Sequence, residues 1–152
     1  MVRSTLGKHP LYFEAILQLR DVSSAVIKYA EQEIRHNLIP LAKTVTTSNG
    51  QDYYLADSKF TKALGKRLQQ EFGGQLLLTA SLYGQKEGKE IYRITVLFRQ
   101  ASFQKRDTVF YRGEEYKVLA MGKEIVVQKL PAGKKLHLKY KEMGKIRKAP
   151  AL

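Results

Sequence analysis

The chain contains no cysteine. That excludes disulfides, thiolate metal sites and thiolate nucleophiles, and it leaves the redox compartment unread. No stretch reaches the roughly 18 apolar residues that a membrane span needs. Residues 1–20 alternate polar with apolar instead of forming a signal peptide's continuous apolar run, so a cytoplasmic location is expected. Histidine is scarce and scattered: His9, His36 and His137 show no His-x-x-His or His-Glu-x-x-His spacing for a metal. No Gly-x-x-x-x-Gly-Lys-Ser/Thr loop is present for nucleotide phosphates. Glu87, Glu90, Glu114 and Glu115 fall in turns with no base beside them, and the serines lie in caps, turns or strands without a triad context. The expectation is a protein without enzymatic activity, metal or cofactor.

Acidic residues are few relative to basic ones, 14 against 27, which gives a formal net charge of +13. Of these, 13 basic and only 5 acidic residues lie in 101–152. A field of this sign favours a polyanionic partner. No strongly amphipathic basic helix is evident, which argues against a membrane surface. With 152 residues, 43% of them hydrophobic, the chain can build one ordinary core or two small ones.

Apolar periodicity divides the chain. Residues 12–20 alternate as a half-buried strand, with Phe13, Ala15, Leu17 and Leu19 on the inner face. Asp21 or Ser23 can cap a helix whose stripe is Val26, Ala30, Ile34 and Leu38, stopped by Pro40. Strands near 41–47 and 52–56 follow, joined by Ser48-Asn49-Gly50, where Asn-Gly offers the positive φ angles of a tight hairpin. Asp57 or Ser58 caps a second helix with Phe60, Leu64, Leu68 and Phe72 as its stripe, ended by Gly73-Gly74. Strands at 75–83 and 90–99 complete a ferredoxin-like split β-α-β sheet with an extra strand, over residues 12–100. Residues 101–141 show short strands with turn signals every eight to ten residues, the pattern of a small SH3-like β-barrel. So small a core is expected to pack on the first unit. Residues 1–11 and the basic tail 142–152 are expected to be flexible. The fold class is therefore α+β, and the protein is expected to be a monomer.

Three surfaces are candidates for RNA. One sheet face is free of helices and should present Arg93, Thr95, Leu97 and Arg99, with Tyr83, Ser81, Thr79, Tyr12 and Arg20 beside them. Aromatic rings stack bases, and arginines pair with phosphates or stack as planes. The plainer reading is that the second unit covers this face, since Ile16, Leu77 and Leu97 share it. The second helix offers Lys59, Lys62 and Lys66 on one side, with Arg67 beside them; the plainer reading is a solvated charged face. The barrel and tail offer Arg112, Lys117, Lys134, Lys135 and Lys139, together with Lys123, Lys129, Lys141, Lys145, Arg147 and Lys148.

Several segments carry a resemblance. They are Leu17-Gln18-Leu19-Arg20-Asp21-Val22-Ser23, Asp52-Tyr53-Tyr54-Leu55, Ala63-Leu64-Gly65-Lys66-Arg67-Leu68-Gln69, Phe72-Gly73-Gly74, Ser81-Leu82-Tyr83-Gly84 and Tyr92-Arg93-Ile94-Thr95-Val96-Leu97-Phe98-Arg99. In this order the chain resembles the archaeal relatives of the eukaryotic large-subunit export adaptor, the nonsense-mediated decay protein three family. The resemblance runs from about Tyr12 to Tyr140. It implies a factor that docks on the large ribosomal subunit near its tRNA exit region, during maturation or recycling, with ribosomal RNA and large-subunit proteins as partners. An archaeon has no nucleus, so export itself is not implied.

The second unit is similar to the N-terminal barrel of the five-A translation factor through Tyr111-Arg112-Gly113-Glu114-Glu115-Tyr116-Lys117-Val118, Ile125-Val126-Val127 and Ala132-Gly133-Lys134-Lys135. That factor's long loop with a modified lysine is replaced here by the tight turn Ala120-Met121-Gly122-Lys123-Glu124, so Lys123 is not expected to be modified. The family's N-terminal Cys-x-x-Cys zinc ribbons have no counterpart in a chain without cysteine. The chain is either a segment of a longer protein or a naturally ribbon-free form. Two other readings stay open beside the ribosomal one. One is a general RNA chaperone or module of another RNA-processing complex. The other is an adaptor that binds a ribosomal protein and uses its charge only for steering.

Overall fold

Strict alternation sets the first strand, β1 (Ala15–Arg20). Ala15, Leu17 and Leu19 are fully buried, while Ile16, Gln18 and Arg20 lie half-exposed on the opposite face. The computed structural model describes residues 12–150. The expected flexible N-terminus, 1–11, lies outside the described residues. After β1 come α1 (Ser24–His36), β2 (Leu41–Thr47), β3 (Gly50–Leu55), α2 (Ser58–Phe72), β4 (Gly74–Lys86) and β5 (Lys89–Gln100). The five strands form one sheet in the order β2-β3-β1-β5-β4.

The first half of this sheet is a split β-α-β: β3 lies between β1 and β2, antiparallel to both. The second half departs from a ferredoxin-like order. The strand after α2, β4, passes to the far edge, and β5 takes the place beside β1, running parallel to it from Ala15↔Ile94 to Arg20↔Arg99. α1 and α2 cover one face, and Val26, Ala30, Leu64 and Leu68 pack on Leu17, Leu19, Val96 and Phe98 in one core.

Local chemistry explains the helix ends. The Asp57 carboxylate accepts from the Phe60 backbone N–H at 3.0 Å and so caps α2. Gly73 ends it at φ 75°, a conformation that costs glycine nothing. α1 stops at His36, two residues before the end of the apolar stripe that the sequence suggested. Asn37 caps it, Leu38 takes φ 54° and is 62% exposed, and Ile39 packs on the core instead.

The β2–β3 turn also differs from expectation. Neither Asn49 nor Gly50 adopts positive φ. Glycine is needed at position 50 for space: a Cβ there would lie 1.7 Å from the Leu19 carbonyl oxygen. Backbone cannot swing aside as a side chain can, so Gly50→Ala is expected to cost on the order of 1–3 kcal/mol. Urea unfolding would measure this, and a wild-type midpoint would contradict it.

The second sheet contains β6 (Thr108–Tyr111), β7 (Glu114–Met121), β8 (Ile125–Lys129), β9 (Lys135–Leu138) and β10 (Arg147–Lys148), in the order β10-β6-β7-β8-β9. All neighbours are antiparallel. Among the described residues β10 and β9 do not pair, so the expected barrel is not closed. The chain leaves β9 into a 3-10 helix (Tyr140–Lys145) whose Tyr140 enters the core, and only two residues then pair with β6. Residues 142–148, read from sequence as part of a mobile tail, thus hold the edge of this sheet, with Ile146 3% exposed.

Glu142 ties the 3-10 helix down. Its carboxylate accepts from the Tyr111 hydroxyl and from Lys145 Nζ, both at 3.1 Å. The Lys145 bond first, then the Tyr111 bond, hold this carboxyl below the usual range. A depressed carboxyl contributes stability above its unfolded value and loses it as pH falls through the folded one. Glu142→Gln is therefore expected to lower the melting temperature at neutral pH and to shrink the further loss on acidification. Equal acid sensitivity in both proteins would refute this.

The two units meet at one end of the first sheet. The Ala101 N–H donates to the Gly73 carbonyl at 3.2 Å. A Cβ on Gly73 would stand 3.0 Å from the Met121 methyl. On the helix-free sheet face Leu77 is 48% exposed, while Ile16 and Leu97 are half-buried.

Candidate nucleic-acid interface

α2 separates its roles by spacing. Thr61, Leu64, Gly65 and Leu68 are buried, whereas Lys59, Lys62 and Lys66 recur on the exposed side. None of the three lysines forms an ion pair among the described residues. Three ammonium groups on one exposed helix face suit a phosphate backbone. Arg67 is placed differently: its guanidinium pairs with Glu33 and joins α2 to α1.

The arginines of the helix-free face are also engaged. Arg20 pairs with Asp52 at 2.7 Å, and Arg99 pairs with Asp21. Arg93 lies between two rings, its guanidinium carbon 3.8 Å from the Phe13 centroid and 3.5 Å from that of Tyr83. Its Nε donates to the Phe13 carbonyl at 3.2 Å. Phe13 was expected on the inner face. β1 begins only at Ala15, so alternation does not extend back to Phe13, and its ring joins Arg93 and Tyr54 instead.

The result is a row across the sheet. Lys43 on β2 lies 4.4 Å over Tyr54 of β3, Tyr54 meets Phe13 edge-on at 4.9 Å, and Phe13 leads through Arg93 of β5 to Tyr83 of β4. Sequence reasoning had Arg93 and Tyr83 but missed Lys43, Tyr54 and the role of Phe13. The available signal was the outward position of Tyr54 between Tyr53 and Leu55.

On the second sheet, Lys117, Gln128 and Lys135 stand in register on neighbouring strands, with both lysines exposed and Gln128 half-buried between them. Lys134 and Lys139 are exposed just outside the two ends of β9. Arg112, in the β6–β7 turn at φ 51°, lies 5.2 Å from the Tyr111 ring and 3.7 Å from Glu142. Arg147 and Lys148 share a cleft of about 450 Å³ with Arg99 and Asp21, which brings together cations that the sequence placed in separate units. Across the described residues no group of three or more His, Asp or Glu could hold a metal ion, and no helix is long and apolar enough to cross a membrane.

These features define a mixed α+β protein with two sheets, whose candidate interface is built of cations and aromatic rings. Residues 12–99, which hold both helices and all but the last residue of the first sheet, match the family model described as NMD3, second domain. The match spans more than half of the chain, and the chain belongs to the NMD3 family. Among curated proteins none matches.

Proposed function

We propose that the protein is a non-enzymatic RNA-binding factor that associates with the large ribosomal subunit in the cytoplasm, in maturation or recycling. The observation that carries this reading is the NMD3 second-domain match over residues 12–99. The charge is consistent with it: +13 overall, with lysines 59, 62 and 66 exposed on one helix face and in no ion pair among the described residues. In this reading the protein is a monomeric archaeal-type member of the family. Its phosphate contacts are Lys59, Lys62 and Lys66 on α2 and Lys117, Lys134, Lys135 and Lys139 on the second sheet. Arg67, Arg93, Arg99 and Arg112 contribute from positions already held by a carboxylate or a ring.

Co-sedimentation with isolated large subunits at two salt concentrations, with free RNA as competitor, tests this function. Binding should fall steeply with salt, with a log–log slope whose magnitude is several, as counterion release requires. Absence of the protein from the large-subunit fraction at low salt would end the ribosomal reading. A slope near zero would end the RNA reading and favour a protein contact.

A further inference from the structure

The row of rings and cations on the helix-free face ends in an open layer. Tyr83 is the outermost ring. Arg93 covers one side of it at 3.5 Å, yet the residue remains 57% exposed. A bulge accounts for this placement. Leu82 pairs with Tyr92 and Gly84 with Ile91, so Tyr83 stands opposite no partner. Bulges re-aim side chains in this way. Arg93 is fixed from its other side by the Phe13 ring and by its bond to the Phe13 carbonyl. The tyrosine therefore rests on a rigid base.

We propose that Tyr83 is a stacking platform for an unpaired RNA base, the next flat layer above Phe13, Arg93 and Tyr83. This inference rests on the RNA-binding reading and adds base contact to its phosphate contacts. Two observations select RNA over an apolar peptide. The protein carries +13, which draws a polyanion to the face, and Lys43 places an exposed cation at the far end of the same row. A ring with a guanidinium beneath it suits a nucleobase, because every base has a π-face and the stack needs no particular sequence. A strand laid along the row would meet a base platform at one edge and a phosphate partner at the other.

The test uses the full chain, a short fluorescein-labelled oligoadenylate, and a ribose-phosphate chain of the same length without bases. Tyr83→Ala should weaken oligoadenylate binding roughly five- to a hundredfold, the range of one lost base–aromatic stack. Its salt slope should not change, since no phosphate contact is removed. Tyr83→Phe keeps the ring and should bind as wild type. The base-free chain should bind all three proteins alike, and their melting temperatures should agree because the ring is exposed.

Oligoadenylate binding by Tyr83→Ala at the wild-type level would overturn the proposal, as would an equal loss for the base-free chain. A loss of large-subunit association by Tyr83→Ala with unchanged oligoadenylate binding would assign the ring to a protein partner and also overturn it. Wild-type protein that binds oligoadenylate but not large subunits would sink the ribosomal reading alone. Wild-type and Tyr83→Ala proteins that associate equally with large subunits, neither binding oligoadenylate, would sink the platform alone.

Discussion

Replacing Lys59, Lys62 and Lys66 together by glutamate is expected to abolish association with large subunits at moderate salt while leaving the fold intact. All three side chains are exposed and unpaired among the described residues, and the helix is held by Thr61, Leu64, Gly65 and Leu68 on its other side. Exposed substitutions of this kind change stability little. The same change turns three attractions toward phosphates into three repulsions. If each lysine neutralises one phosphate, the salt slope should fall by about three. Circular dichroism and melting temperature would confirm the fold, and co-sedimentation would measure the loss. Wild-type sedimentation of the triple variant would make α2 a solvated face and move the phosphate contacts to the second sheet.

Leu64→Ala should do the reverse. Leu64 is fully buried where α2 meets the sheet, and its neighbour Gly65 allows no slack. A Cβ on Gly65 would lie 2.6 Å from a Val96 methyl carbon and 3.0 Å from a Leu76 methyl carbon. Helix and sheet are therefore close-packed at this point, and a deleted isobutyl group leaves a void that little can fill. The expected cost is about 2–5 kcal/mol of unfolding free energy, read from urea titration at unchanged slope. The fraction that remains folded should still bind large subunits through its lysines. A cost below about 1 kcal/mol would mean that the helix can collapse onto the sheet, against the contacts around Gly65.

Features with a local cause were legible in the sequence. Asp57 and Gly73 bracket α2 because a carboxylate cap and a positive-φ glycine act within one turn of chain. The alternation of Ala15, Leu17 and Leu19 marks β1 because one face is buried throughout. The exposed lysines of α2 followed from the same periodicity that gave its core. Features decided between distant segments were not legible. Strand order is one: alternation looks the same for a central and an edge strand, so nothing local places β5 rather than β4 beside β1. The ion pairs Arg67–Glu33 and Arg99–Asp21 join different elements, and no spacing rule announces them. Gly50 gave the right turn for the wrong reason, since its constraint is the Leu19 carbonyl across the sheet. β10 is two residues long, too short for any periodicity, and only the burial of Ile146 beside it shows why the chain returns there.

The position of β1 has a consequence for the order in which the protein assembles. Among the described residues it is the first strand of its sheet in chain order, and it lies at the centre, between β3 and β5. Its pairing with β3 becomes available early. Its pairing with β5 must wait for almost the whole of that unit to emerge, because Ala15 is matched with Ile94 and Arg20 with Arg99. Contacts between such distant segments slow the search for the native arrangement. Until β5 arrives, the newly made chain has an unpaired edge along β1, next to its own buried row of Ala15, Leu17 and Leu19. The interval in which a nascent chain is most vulnerable to wrong pairing is thus set by the translation time of residues 56–100.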